Sequence, residues 1–232
     1  MLVDNDDVWV VVPVFNEAPV VRGVLLGLRE HFPKVVAVDD GSTDLTVQEI
    51  ESAGVRLVRH PVNMGAGGAL QTGVDFALLD PATRYVVMFD ADGQHRATDA
   101  AAMVSRLREG EADILIGSRF LGRAVGMKRS RRRVLLLARW FERLSTGVML
   151  TDAHNGLRAF TRGFAEILRL QMTDMAWASE FLDRAARSGL RIEEFPVTIE
   201  YTDYSRSKGQ HSLNSINIGM DVLLHRLLRG PN

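Results

Sequence analysis

Along this chain, apolar positions come in short blocks separated by longer stretches of mixed character. Val8–Val14, Val35–Asp39, Val55–Arg59, Tyr85–Phe89 and Asp113–Gly117 are β-branched and nearly continuously apolar. Such runs suit strands buried on both faces of a parallel sheet. Between them, Glu17–His31, Asp44–Ala53, Ala66–Leu79 and Thr98–Arg108 carry apolar residues at helical spacing. Ser42, Thr43 or Asp44 is placed to cap the second of these helices, and Thr98 the fourth. Repeated strand–helix units predict an α/β fold: an open, doubly wound, mostly parallel, Rossmann-like sheet with ligands at the C-terminal ends of its strands.

After residue 120 the texture changes. Lys128 to Arg133 is strongly basic and leads into Val134–Met149, an amphipathic helical pattern. A polar turn (Thr151–Gly156), helices around Phe164–Leu168 and Ser179–Ser188, and a strand at Leu190–Tyr201 follow. Residues 202–212 read as a polar loop and Leu213–Leu228 as a final helix. No internal repeat or long linker divides the chain. We expect one domain over 1–232, with a ligand-binding half to about residue 120 and a helical acceptor-facing half beyond it.

Every expected strand end in the first half carries a polar cluster. Pro13-Val14-Phe15-Asn16-Glu17 follows the first strand and Asp39-Asp40-Gly41-Ser42-Thr43-Asp44 the second. Asn63-Met64-Gly65-Ala66-Gly67-Gly68 follows the third, Asp90-Ala91-Asp92-Gly93-Gln94-His95 the fourth, and Gly117-Ser118-Arg119-Phe120 the fifth. Five clusters on one sheet edge describe a single crevice.

Composition narrows the ligand. Lys plus Arg number 28 against 29 Asp plus Glu, a net charge of −1, which excludes the basic excess of a general nucleic-acid binder. With no cysteine, neither disulfides nor thiolate metal sites exist. The N-terminus is acidic where a signal peptide would be basic. The longest apolar run, Val8 to Phe15, is far short of the roughly 20 residues a membrane-spanning helix needs. The expectation is a cytoplasmic protein whose membrane contact is peripheral.

Asp90-Ala91-Asp92 is weak as a motif by itself, because 17 aspartates make about one Asp-x-Asp expected by chance. Asp4-Asn5-Asp6 is a second, on a tail that reads as solvated. Context separates the two: an apolar strand delivers Asp90 and Asp92 to the sheet edge. Two carboxylates beside the amide oxygen of Gln94 suit a hard cation, Mg²⁺ or Mn²⁺, bridging diphosphate oxygens. A helix cap with surface acids is the plainer alternative. Asp39 and Asp40 exceed what a cap requires, and Asp40 is placed to accept hydrogen bonds from a base or ribose. The glycines at 65, 67 and 68 either let backbone approach a ligand or fit a tight turn. Their position after the third strand speaks against a dinucleotide fingerprint, which follows the first.

Taken together, these motifs resemble the family 2 glycosyltransferases over about residues 8–215. They are nearest the dolichyl-phosphate mannose synthase-like, polyprenyl-phosphate glycosyl synthase branch. The resemblance implies a GT-A fold, a UDP- or GDP-sugar donor, inversion at the anomeric carbon and a requirement for Mg²⁺ or Mn²⁺. It implies that Pro13, Phe15, Glu17, Val38 and Asp40 hold the nucleotide, and that Asp90, Ala91 and Asp92 meet the diphosphate and sugar. Asp92, Gln94 and Asp90 are the implied metal set, and Arg119 faces a donor or acceptor phosphate. Asp152-Ala153-His154-Asn155-Gly156-Leu157-Arg158 stands where the branch has Asp-Pro-Thr-Ser-Gly-Phe-Arg, so His154 and Asn155 depart from the pattern. Lys208 matches a donor-phosphate lysine. The arginine expected six residues earlier is Thr202, with Arg206 as its candidate replacement.

Acceptor chemistry then divides two enzymatic readings. A phosphate monoester, with a second pKa of about 6, is largely a dianion at neutral pH and needs no general base. Arg119, Arg131 to Arg133 and Arg158 supply cations, Arg131 and Arg158 being the candidates for the acceptor phosphate. A sugar hydroxyl, as in cell-surface polysaccharide synthesis, would need a base, and Asp152 is the candidate. A non-catalytic scaffold on the same fold is a third reading, against which Asp90, Asp92, Gln94 and Arg119 stand intact. The arginine run beside Val134, Leu137 and Phe141 is either a solvated face or a surface for anionic lipid. Members of the branch often carry C-terminal membrane helices, so a separate integral-membrane partner is the expectation for this chain.

Overall fold

A computed structural model describes residues 5–126, 150–153, 155–172, 176–202 and 204. The basic run, the Val134–Met149 helix, His154, Arg206, Lys208 and the final helix lie outside the described residues, as do Arg131 and most of the 202–212 loop. The strands are β1 (Val8–Val14), β2 (Val35–Asp39), β3 (Arg56–Arg59), β4 (Tyr85–Met88), β5 (Ile114–Val125), β6 (Arg158–Thr161) and β7 (Ile192–Glu200). The helices are α1 (Val21–Arg29), α2 (Thr46–Ala53), α3 (Gly65–Leu78), α4 (Ala97–Arg108), α5 (Arg162–Ile167) and α6 (Trp177–Arg187).

One seven-stranded sheet runs β3-β2-β1-β4-β6-β5-β7. The parallel pairs are β3–β2, β2–β1, β1–β4 and β5–β7, while β6 runs antiparallel to both β4 and β5. This is the GT-A arrangement of a mostly parallel, doubly wound sheet, and it takes strands from both halves of the chain.

The two-sided burial that makes the strands read as continuous apolar runs is visible residue by residue. Val8, Val10, Val12 and Val14 enter one core with Leu25 of α1, Ile50 of α2 and Met103 of α4. Trp9 and Val11 enter the other with Leu70 and Val74 of α3 and Phe181 of α6. Alternation along a strand sends successive side chains to opposite faces, and here both faces are apolar. Helix α3 lies so close on β1 that a Cβ on Gly73 would stand 2.2 Å from Val11 Cγ1.

Several boundaries differ from those read off the pattern. The first helix begins at Val21, because Glu17 to Val20 form a turn in which the Glu17 carbonyl accepts the N–H of Val20 and Val21. Asp44 does serve α2, accepting the N–H of Thr46 at 3.0 Å. Thr98 does not cap α4: the helix starts one residue before it, after Arg96, with no side-chain cap. Strand β5 continues past Gly117 to Val125, pairing with β7 across an irregularity between Ser118 and Arg123.

Candidate active site

The C-terminal ends of β1, β2 and β4 and the irregular middle of β5 line one edge. At the end of β1, Phe15 is 43% exposed and Asn16 takes a left-handed backbone (φ 53°) that asparagine tolerates better than most residues. Asn16 N–H donates to Ser42 Oγ, Asn16 Oδ1 accepts the N–H of Thr43, and Glu17 N–H donates to Thr46 Oγ1. These bonds tie the loop after β1 to the loop after β2. The Glu17 carboxylate accepts the hydroxyl of Tyr204 at 2.8 Å.

The end of β2 is tied to the glycine-rich loop. Asp40 is buried and its carboxylate serves the chain itself: Oδ1 meets the N–H of Met64 and Nδ1 of His60, and Oδ2 accepts the N–H of Gly65. His60 Nε2 lies 3.0 Å from Thr72 Oγ1 on α3. Asp40 thus clamps the glycine-rich loop to the sheet. The Val38 side chain is packed in the core. The glycines are packing devices: Gly65 has a positive φ, and a Cβ on Gly67 would stand 1.9 Å from the Met172 carbonyl oxygen.

At the end of β4, Ala91 packs into the core while Asp90 and Asp92 face the edge, the Asp90 side chain 37% exposed. His95 Nε2 lies 3.3 Å from Asp90 Oδ2, and Gln94 contacts Asp92 through both its backbone N–H and its side-chain amide. Burial alone would raise the Asp90 carboxyl. The hydrogen bond and charge of His95, with Arg158 and Arg119 nearby, outweigh burial and hold it below the ordinary carboxylate range. Asp92 is pushed up instead, first by burial and then by the negative charge of Asp90. Two carboxylates crowd each other at this point, one of them ionised reluctantly. The segment is fixed against β7 by a bridge between His95 and Ile199 and by Glu200 N–H donating to the Gln94 carbonyl.

Midway along β5, at its irregularity after Ser118, lies a buried ion pair. Arg119, 8% exposed, donates from Nε at 2.6 Å and from its backbone N–H at 2.9 Å to Asp152 Oδ2. Its Nη1 donates to the Tyr201 hydroxyl at 2.7 Å. Asp152 is 2% exposed and also accepts from Asn155 Nδ2. The turn that presents it is held by Glu194 of β7, which accepts the N–H groups of Thr151 and Asp152.

Arg158 is placed differently from an acceptor-phosphate ligand. It is fully buried at the start of β6, its guanidinium 4.5 Å from the Trp177 ring centre and 4.3 Å from that of Phe181. It donates to the carbonyls of Asn155, Ala178 and Ala153. Its positive charge also acts on Asp90. His60, His95, Tyr201 and Tyr204 reach the site without having been singled out in the sequence.

A GT-A sheet whose edge gathers an Asp-x-Asp pair and a buried arginine defines the nucleotide-sugar glycosyltransferase class. The chain belongs to a particular family within it: the profile described as Glycosyl transferase family 2 matches residues 9–167. Among its relatives is the UDP-N-acetylglucosamine–dolichyl-phosphate N-acetylglucosaminyltransferase of Methanococcus voltae. It is 27% identical over 242 residues, covering 95% of this chain and 96% of that one. The undecaprenyl-phosphate mannosyltransferase of Micrococcus luteus is 28% identical, over 87% of this chain and 86% of that one. Both are named for a lipid phosphate, as in the branch that the motifs resemble. Glucosyl-3-phosphoglycerate synthase from Mycobacterium tuberculosis, crystallised with Mn²⁺, UDP and glucosyl-3-phosphoglycerate, shares the fold. It has a TM-score of 0.72 at 20% identity, covering 98% of this chain and 81% of that chain.

Proposed function

We propose that this enzyme transfers a hexose from a UDP- or GDP-sugar to the phosphate of a polyprenyl phosphate, with inversion. The observation that carries the reading is the Arg119–Asp152 pair. The carboxylate placed to activate a hydroxyl is buried, and its Oδ2 is taken up by the side chain and the backbone N–H of Arg119. A phosphate dianion needs no such group. Its oxygen attacks the anomeric carbon as the bond to the nucleoside diphosphate breaks, and a single displacement inverts the configuration. The saccharide-acceptor alternative would rest on Asp152 as its base.

The donor would lie over Pro13, Phe15 and Glu17, with its diphosphate toward Asp90, Asp92 and Arg119. The residues present fit a divalent cation. Asp92 is raised by burial and by its neighbour's charge, and Gln94 adds an amide oxygen. Among the described residues no three His, Asp or Glu side chains form a closed cage, as suits a Mg²⁺ or Mn²⁺ site completed by substrate phosphates and water. Asp92, Gln94 and Asp90 would hold the ion, which when bound neutralises charge on the departing diphosphate. Arg206 and Lys208 remain the proposed donor-phosphate cations and Arg131 the acceptor's.

No helix among the described residues is long and apolar enough to cross a membrane. We place the enzyme peripherally on the cytoplasmic face, with Lys128 to Arg133 toward anionic lipid and a separate membrane protein as the partner receiving the product. The experiment is a donor screen: labelled UDP- and GDP-sugars with polyprenyl phosphate and Mn²⁺ or Mg²⁺. Label should enter the organic phase from one donor. If every donor leaves the lipid unlabelled while a saccharide acceptor is glycosylated, the reading fails.

A further inference from the structure

Tyr204 follows β7, and its phenol reaches across to the loop after β1. The hydroxyl donates to Glu17 Oε2 at 2.8 Å, joining residues 187 positions apart. Burial first, then the bond to Glu17 and the negative charges of Glu17, Asp44 and Asp92, raise this phenol well above the ordinary tyrosine value. It stays a protonated donor throughout the neutral range, among carboxylates contributed by three loops. The backbone of Glu17 is fixed independently: its N–H donates to Thr46 Oγ1 and its carbonyl accepts from Val20 and Val21. Ordering a side chain as long as glutamate's for a ligand costs rotamer freedom.

We infer that Tyr204 is a positioning residue for the donor: its hydroxyl holds the Glu17 carboxylate in the orientation that receives the nucleotide of a nucleoside diphosphate sugar. The inference rests on the place given to Glu17 in the donor site above. Ordering one such side chain in advance is worth about two- to tenfold in affinity. Tyr204→Phe keeps the ring and its packing and removes only the donor, so it isolates that contribution.

The test is calorimetric titration of the full chain with UDP and with GDP in the presence of Mn²⁺. Four proteins are compared: wild type, Tyr204→Phe, Glu17→Ala and the double variant, each with its melting temperature. Tyr204→Phe should weaken binding of the preferred nucleotide about fivefold while melting like wild type. In the Glu17→Ala background the same change should cost nothing further, because the group it acts through is gone. Unchanged binding by Tyr204→Phe overturns the inference, and so does an equal loss in both backgrounds, which marks a merely structural role. If wild type binds neither nucleotide, the donor reading itself fails and takes the inference with it. Tight binding by wild type with no effect of Tyr204→Phe fails the inference alone.

Discussion

Gly156 lies directly against the carboxylate of Asp90: a Cβ there would stand 1.9 Å from Oδ2 and 2.5 Å from Cγ. The turn after Asp152 is thus the floor on which the first aspartate of the Asp-x-Asp pair rests. Only glycine leaves room for it.

Gly156→Ala should therefore act on chemistry. The added methyl must displace Asp90, and a misplacement of about 1 Å at a reacting site costs on the order of 100-fold in rate. Overpacking would cost roughly 1–3 kcal/mol of stability besides. Steady-state turnover beside a urea unfolding curve checks both. A folded variant with near wild-type turnover would show that Asp90 is not needed in its place.

The crowding of Asp90 and Asp92 makes a signed prediction for the metal-free protein. A carboxyl pushed up in the folded state opposes folding once ionised. Its cost grows as pH rises from the ordinary aspartate value toward the folded one and persists above that. Asp92→Asn should abolish transfer and yet melt higher than wild type at pH 7 in EDTA. The gain should disappear below about pH 4, where the aspartate is protonated in both states. Mn²⁺ should raise the melting temperature of wild type and leave the variant unmoved. A variant that melts lower than wild type in EDTA, or that keeps full activity, would contradict this account.

Much of the first half could be read from the sequence, because two-sided burial writes itself into the chain as unbroken runs such as Val8–Val14. The strand-end position of Asp90 and Asp92 followed from that pattern. What could not be read depends on partners distant in sequence. Strand β6 is four residues long and opens with Arg158, a residue type that normally marks a surface; the Trp177 and Phe181 rings and the carbonyls of Ala153, Asn155 and Ala178 make its burial tolerable. The contact of Asp40 with His60, 20 residues on, carries no local signal. Tyr201 and Tyr204 meet Arg119 and Glu17 across 82 and 187 residues.

The commitment of Asp152 to Arg119 predicts a loss of stability. Asp152→Asn leaves a buried guanidinium without its counter-charge, and breaking such a pair typically costs about 3–5 kcal/mol. Urea denaturation measures it. A variant as stable as wild type but inactive toward every acceptor would instead mark Asp152 as a general base.

The Asp-x-Asp near the N-terminus serves as a control. Asp6 is exposed and remote from the strand ends, and Asp4 lies outside the described residues. Changing both to alanine should alter turnover by less than twofold, or about 0.4 kcal/mol in barrier. A larger loss in the standard assay would mean that the N-terminal segment contributes to the site.

The central claim is that the nucleophile is a phosphate that arrives already ionised. Polyprenyl phosphate and the polyprenol of the same length differ only in that group, so the direct measurement is transfer to each from the preferred labelled nucleotide sugar with Mn²⁺. The account predicts organic-phase label with the phosphate, none above background with the alcohol, and loss of the signal in excess EDTA. Comparable transfer to polyprenol or to a saccharide hydroxyl would contradict it, because the site would then contain a working general base.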